Sequence, residues 1–228
     1  ENDALRNKLV AQATYDFDYQ FAKAPDPPNV TAVVGDGQVT LYWDRSAENT
    51  ADKYMGNITN GADLNDFEGY KVYRATDFEF NDAYTITDGD GNATFLEAYV
   101  QNGVKAQWDL IDGKSGWHPV DLNGIKFNLG DESGLVHSYV DNNVVNGQRY
   151  YYAVVSYDYG GDLTNNIIPS DSPMKLRVNS LTGVVTLGPN VVEVVPSPPS
   201  AGYVEASYSG DMVDHVSGSS SGKVFLEI

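Results

Sequence analysis

Cysteine is absent from the 228 residues, and with it go thiol catalysis, disulfide staples and thiolate zinc sites. Basic side chains are scarce. Fourteen Lys and Arg stand against 32 Asp and Glu, a net charge of −18. Arg6, Lys8, Lys23, Arg45, Lys53, Lys71 and Arg74 fall singly along the chain. Without a basic cluster, neither nucleic acid nor anionic lipid is an expected partner. No apolar run approaches the roughly 18 residues a membrane helix needs, so membrane insertion is not expected either. The three histidines, His118, His137 and His215, are too far apart to suggest a zinc site. What the chain has instead is aromatic content: 12%, including 16 Tyr. That is enough for a core and argues against disorder. The length fits one large domain, or one medium domain with a partner segment. The chain opens on Glu1 with no charged-then-apolar leader, which reads as a mature or trimmed piece of something longer.

Helix signals are few. Leu5, Leu9 and Ala13 recur at helical spacing within Asp3 to Thr14, with Asp3 placed as an N-cap. Pro25, Pro27 and Pro28 then close any helix. From Asn29 onward the pattern is β. Two strands flank the turn sequence Gly35-Asp36-Gly37, and Val39, Leu41 and Trp43 form one apolar face of the second. A polar stretch from Arg45 to Asp66 reads as a long loop, and 67–75 as another strand. Regular alternation returns at 137–141, at 149–159 and at 174–178. Residues 76–135 are rich in Gly, Asp and Asn and read as an insertion with about two to four short strands of its own. After Leu181, short strand-like runs alternate with Pro/Ser/Gly stretches.

The spaced residues Pro27-Pro28, Val39-x-Leu41-x-Trp43, Gly69-Tyr70-Lys71-Val72-Tyr73-Arg74, Tyr139-x-Asp141 and Gly147-x-x-Tyr150-x-Tyr152-x-Val154 resemble a fibronectin type III domain. The resemblance covers about 27–78 and 135–178. It implies an all-β, seven-stranded sandwich of immunoglobulin-like type in which Trp43 and Tyr70 fill the core and Tyr150 makes a corner hydrogen bond. The domain expectation is an N-terminal arm at 1–26, the sandwich at 27–180 with an insertion at about 79–135, and a C-terminal β segment at 181–228. The long insertion departs from the family pattern. Its style resembles large secreted bacterial surface proteins that leave the cell by the type IX route, which implies an extracellular or cell-surface module without catalysis.

Several residue groups carry two readings. Asp88, Asp90 and Asn92 have the alternating oxygen spacing of a calcium loop, although Ala93 and Tyr99 break the EF-hand pattern. They are either a calcium site completed by acids such as Glu79, Asp82, Glu97, Asp109, Asp112 or Asp131, or a plain Asp/Gly turn. Residues 157–162 are a partner-binding loop or a mobile polar one. Trp108 and Trp117 either stack on sugar rings or form the insertion's own core with Phe95, Leu110 and Phe127. Gly218-Ser-Ser220-Ser-Gly222 beside Asp214-His215 matches a nucleophile elbow in letters, but lacks the strand-turn-helix context. Asn29, Asn57 and Asn92 begin glycosylation sequons that matter only in a eukaryotic source.

The expected function is a non-catalytic structural or adhesive module, a subunit of a surface fibre or filament joined through its terminal β segments to copies of itself or to adjacent domains. The competing expectation is a carbohydrate-binding accessory module of a secreted polysaccharide-degrading enzyme, with polysaccharide as partner. No cofactor is expected apart from calcium, which would serve a spacer role.

Overall fold

The computed structural model describes residues 22–164 and 166–203. The expected helix at 3–14, His215 and the 218–222 motif lie outside them. Fifteen strands follow in chain order: β1 (Val30–Gly35), β2 (Gln38–Trp43), β3 (Phe67–Ala75), β4 (Thr85–Thr87), β5 (Ala93–Leu96), β6 (Val100–Gln101), β7 (Val104–Lys105), β8 (Gln107–Asp109), β9 (Trp117–Leu122), β10 (Ile125–Asn128), β11 (Ser138–Asp141), β12 (Tyr150–Asp158), β13 (Leu176–Val178), β14 (Val185–Leu187) and β15 (Val191–Val194). Between β2 and β3 lie a 3-10 turn (Ser46–Asn49) and one short helix, α1 (Lys53–Ile58). The expected long loop therefore carries helical structure. Its cause is local, since the Asp52 carboxylate accepts the N–H groups of Tyr54 and Met55 and caps α1. No helix among the described residues is long and apolar enough to cross a membrane.

The class is all-β and the architecture a β-sandwich. One sheet has the order β1-β2-β11 and the other β15-β12-β3-β8. β1 and β2 form a hairpin over Asp36-Gly37, where Gly37 takes φ +62. The alternation of Val39, Leu41 and Trp43 drives that face inward against Tyr70, Val72, Tyr152 and Val154 of the second sheet. Trp43 and Tyr70 meet edge-on, with ring centroids 5.9 Å apart. At the entry to β12 the Val145 backbone N–H donates to the Tyr150 hydroxyl at 3.0 Å, closing the corner between β11 and β12.

The four-stranded sheet is buried on both faces, and all nine residues of β12 are buried. This explains why β3 and β12 read as nearly continuous runs of aromatic and β-branched residues. Its outer face packs Tyr73, Tyr151 and Val155 against Phe80, Phe78, Leu96 and Met174. Further along, Tyr157 packs on Phe127 and Leu129. Lys71 is buried there, its Nζ 3.6 Å from the Phe127 ring centroid and 3.2 Å from Asp171.

Two expectations on strands change. The stretch 76–135 carries seven strands, β4 to β10, and β8 belongs to the main sheet, pairing Gly69 with Asp109 and Tyr70 with Trp108. Gly69 permits that approach, because a Cβ there would collide with the Trp108 carbonyl oxygen. At the other edge the strand that closes the sheet is β15, paired with Tyr150–Ala153, and not 174–178. Residues 176–178 instead form a hairpin with β14. The sandwich thus uses residues beyond the expected limit at 180. Residues 1–198 group as one compact unit and 199–228 as another. Of the second, only a turn is described, with the Tyr203 N–H on the Ser200 carbonyl at 2.9 Å.

Candidate functional site

Asp88, Asp90 and Asn92 are brought together in the turn between β4 and β5. The Asp88 carboxylate is occupied by N–H donors. Oδ1 accepts the backbone N–H groups of Asp90 (3.0 Å) and Asn92 (2.8 Å), and Oδ2 accepts the side-chain amides of Asn92 (3.1 Å) and Asn123 (3.2 Å). These donors hold the Asp88 carboxyl below the usual carboxylate range, the Asn92 amide most of all. The Asn92 and Asn123 amides turned toward Asp88 lock the turn in this structure. Among the described residues no group of three or more His, Asp or Glu is placed to hold a metal ion. The geometry is that of the Asp/Gly turn.

The two tryptophans separate. Trp108 packs into the sandwich core, 5.8 Å from Trp43 and 5.6 Å from Tyr139 between ring centroids. Trp117 stands 60% exposed at the start of β9. The core under the insertion is made by Phe95, Phe127, Leu129 and Tyr157. It contains neither tryptophan: Trp108 belongs to the main core and Trp117 stands at the surface. His118 is buried against the Val120 backbone and edge-on to Tyr159, and burial lowers its basicity. His137 bonds Glu48 at 2.5 Å. Of the 157–162 stretch, Tyr157, Asp158, Gly160 and Gly161 are buried and Asp162 is exposed, and the Tyr159 N–H donates to the Asp66 carbonyl at 2.8 Å.

A cluster of acids lies at the start of β3 and at the ends of β8 and β12. Asp66, Glu68, Asp109 and Asp158 are all buried. Asp109 is satisfied by the N–H groups of Glu132 and Ser133 (2.7 and 2.8 Å), and Asp158 by the Ser170 N–H and hydroxyl (2.7 and 2.6 Å). Neither Glu68 oxygen has a hydrogen-bond partner. Burial, with the nearby Asp112, Asp109 and Glu132, pushes Glu68 up to about 8. Burial and Asp52 push Asp66 to about 7, and burial with Asp66 pushes Asp158 to about 8. Near neutrality Glu68 and Asp158 are thus held mostly in the protonated form, and Asp66 about half so. Their surroundings are protein, and they line none of the clefts described below.

The best-formed cleft is elsewhere, where the end of β3 meets the β4–β5 and β6–β7 hairpins. It encloses about 520 Å³ and is lined by Arg74, Ala75, Thr76, Asp82, Ala83, Tyr84, Glu97, Ala98, Tyr99, Val100 and Lys105. Three alanines leave the space. Its walls are tied to the scaffold: Glu97 N–H donates to the Tyr84 carbonyl (2.9 Å) and Tyr99 N–H to the Val72 carbonyl (2.8 Å). Arg74 lies over the Tyr99 ring at 3.9 Å, and its Nη1 donates to Asp141 (2.9 Å) and the Asn143 carbonyl (2.8 Å). Lys105 pairs with Glu97 at 2.8 Å. A second cleft of about 540 Å³, near Gln107, Asn128 and Asp131, shares Lys105 but has only the core-facing Trp108 as an aromatic. Of the cleft's lining the sequence marked only Asp82 and Glu97, as completing acids for a calcium site; Arg74, Tyr84, Tyr99 and Lys105 were not marked as a site, because they come from separate segments that only the fold joins. When the chain is compared with protein-family models, curated proteins and solved structures, none of them matches.

Proposed function

We propose that the chain is a non-catalytic structural and adhesive module of an extracellular or cell-surface protein, built on a fibronectin type III-like sandwich. The fold part of this reading is supported by the three-plus-four strand order and by the Tyr150 contact at the corner before β12. The functional part rests on one observation, the outer face of the β1-β2-β11 sheet. Its registered rows are Val33, Thr40 and Val140, and Thr31, Tyr42 and Ser138. None of the six is charged, on a chain of net charge −18. Val33 is 59% exposed, Tyr42 49% and Val140 38%.

Two strongly acidic molecules repel wherever their carboxylates face each other. They approach at least cost through a flat face that carries none. The occupant of this face is a second copy of the chain or an equivalent neighbouring module in a fibre. Terminal strand exchange belongs to the same proposal, though 191–194 is used within the sandwich itself and residues 1–21 and 204–228 lie outside the described residues. The check is sedimentation of the full chain over a range of concentration and salt. Association that strengthens with salt, as the repulsion is screened, and that Tyr42→Glu with Val140→Glu removes, is the expected result. A folded monomer under every condition rejects the proposal.

A further inference from the structure

We infer that the cleft between the end of β3 and the two insertion hairpins binds a neutral saccharide, one or a few pyranose rings, with Tyr84 as its stacking platform. A pyranose offers two kinds of surface. Its ring C–H groups make an apolar face, and its rim of hydroxyls both donates and accepts. A site for it therefore needs an exposed aromatic ring beside fixed donors and acceptors, without net charge.

The cleft supplies each part. Tyr84 is 72% exposed at the rim, while its backbone is fixed by the Glu97 N–H. An exposed ring on a fixed backbone loses little freedom when a ligand covers it. Arg74 uses Nη1 for both of its protein bonds, leaving the Nε and Nη2 hydrogens as donors. Asp82 is held by the Thr76 N–H and hydroxyl (2.7 Å to the latter), and Glu97 by Lys105. Asp82 Oδ1 and the Glu97 carboxylate each keep a lone pair for a sugar hydroxyl. The volume of about 520 Å³ falls inside the roughly 300–1,000 Å³ range of small-ligand sites.

Charge decides which saccharide. The lining has two cations, Arg74 and Lys105, and two carboxylates, Asp82 and Glu97. Each is already engaged within the protein: Arg74 with Asp141, Lys105 with Glu97, Asp82 with Thr76. An anionic sugar would add a negative charge to a lining whose cations are already offset by carboxylates, on a chain of −18. A neutral one bonds to what they leave open. The cleft shares no residue with the uncharged face of the three-stranded sheet, so the two proposals fail or stand separately.

The test is calorimetry of the full chain with cellohexaose, xylohexaose, mannohexaose, maltohexaose and chitohexaose, with oligogalacturonate as the anionic comparison, each to about 10 mM. At least one neutral hexaose is expected to bind. Tyr84→Ala is expected to weaken it about tenfold or more without moving Tm, and Tyr84→Trp to restore it. Because Tyr84 is exposed, loss of binding cannot be ascribed to misfolding if the melting curve is unchanged. Any of three results overturns the inference: no binding across the neutral panel, tighter binding of oligogalacturonate, or binding that survives Tyr84→Ala.

Discussion

Asp141 shows how much a single buried acid can hold. It is fully buried, and its Oδ2 accepts both Arg74 Nη1 (2.9 Å) and the Tyr152 hydroxyl (2.7 Å), while Oδ1 accepts the Asn143 N–H (2.8 Å). Arg74 in turn lies between the Tyr99 and Tyr150 rings, 3.9 and 5.3 Å from their centroids. Burial and the Asp141 charge push the Tyr152 hydroxyl well above the ordinary tyrosine value, so it remains a donor. One carboxylate thus ties β3, β11 and β12 together at the Arg74 end of the cleft. Removing it strands a half-buried guanidinium and a buried hydroxyl, which costs more than the bonds themselves are worth. Asp141→Ala is expected to lower stability by about 3–5 kcal/mol in urea titration. Asp141→Asn, which keeps an acceptor, should lose distinctly less. The sequence marked Tyr139-x-Asp141 as a spaced signature. It could not name Arg74 as the partner, because they are 67 positions apart and only the sheet packing joins them.

At the scale of elements, strands with strong alternation were legible and strands chosen by pairing were not. β2, β3 and β12 are visible as runs because their inward faces carry Val39, Leu41, Trp43, Tyr70, Val72 and Tyr152. The closing strand was misplaced because 174–178 and 191–194 are both short β-like runs, and composition cannot decide which joins β12. Asn190 decides it. Its side-chain NH2 donates to the Val154 and Pro173 carbonyls (3.2 Å each), its Oδ1 accepts the Lys175 N–H (3.2 Å), and its backbone carbonyl accepts the Val154 N–H (3.0 Å). Asn190→Ala leaves the buried Val154 carbonyl and the part-buried Pro173 carbonyl and Lys175 N–H unpaired, at an expected cost of about 2–3 kcal/mol. In hydrogen exchange the Lys175 amide should open first, with the β15 amides following and the β1–β2 hairpin unaffected. The insertion hid its strands for a different reason. β6 and β7 have two residues each, too few to show a period. The readable signal was in the turns. Asn102-Gly103 and Asn123-Gly124 both take positive φ at both positions and close hairpins.

For the whole molecule, the sign and size of the charge were plain in composition, but its placement was not. Acids that follow one another in loop-like sequence look solvated. Asp66 and Glu68 are instead buried, because the insertion folds back over the outer face of β3 and brings β8 beside them. Asp158 arrives from β12 opposite Phe67. The cations do not balance them: Lys114 is the one that eases both Asp66 and Glu68, and Asp112 also holds it, at 3.4 Å. With Glu68 and Asp158 pushed up to about 8 and Asp66 to about 7, the folded state binds more protons than the unfolded state between the ordinary carboxylate range and those values. Stability must therefore fall as pH rises through that window. Below it, Asp44, held at about 2 chiefly by bonds from Asn29 and Ser46 that outweigh its desolvation, contributes in the opposite sense, losing its contribution as pH drops. The expected profile peaks near pH 5, with Tm lower by at least about 5 °C at pH 8.5. Glu68→Gln separates this cause from general repulsion among the surface acids. The amide fills the same space and cannot ionise, so Tm should match the wild type at pH 5 and exceed it at pH 8.5. If the variant and wild-type curves run parallel across the window, the buried Glu68 is not the source of the slope, which then falls to Asp66, Asp158 and the excess surface charge.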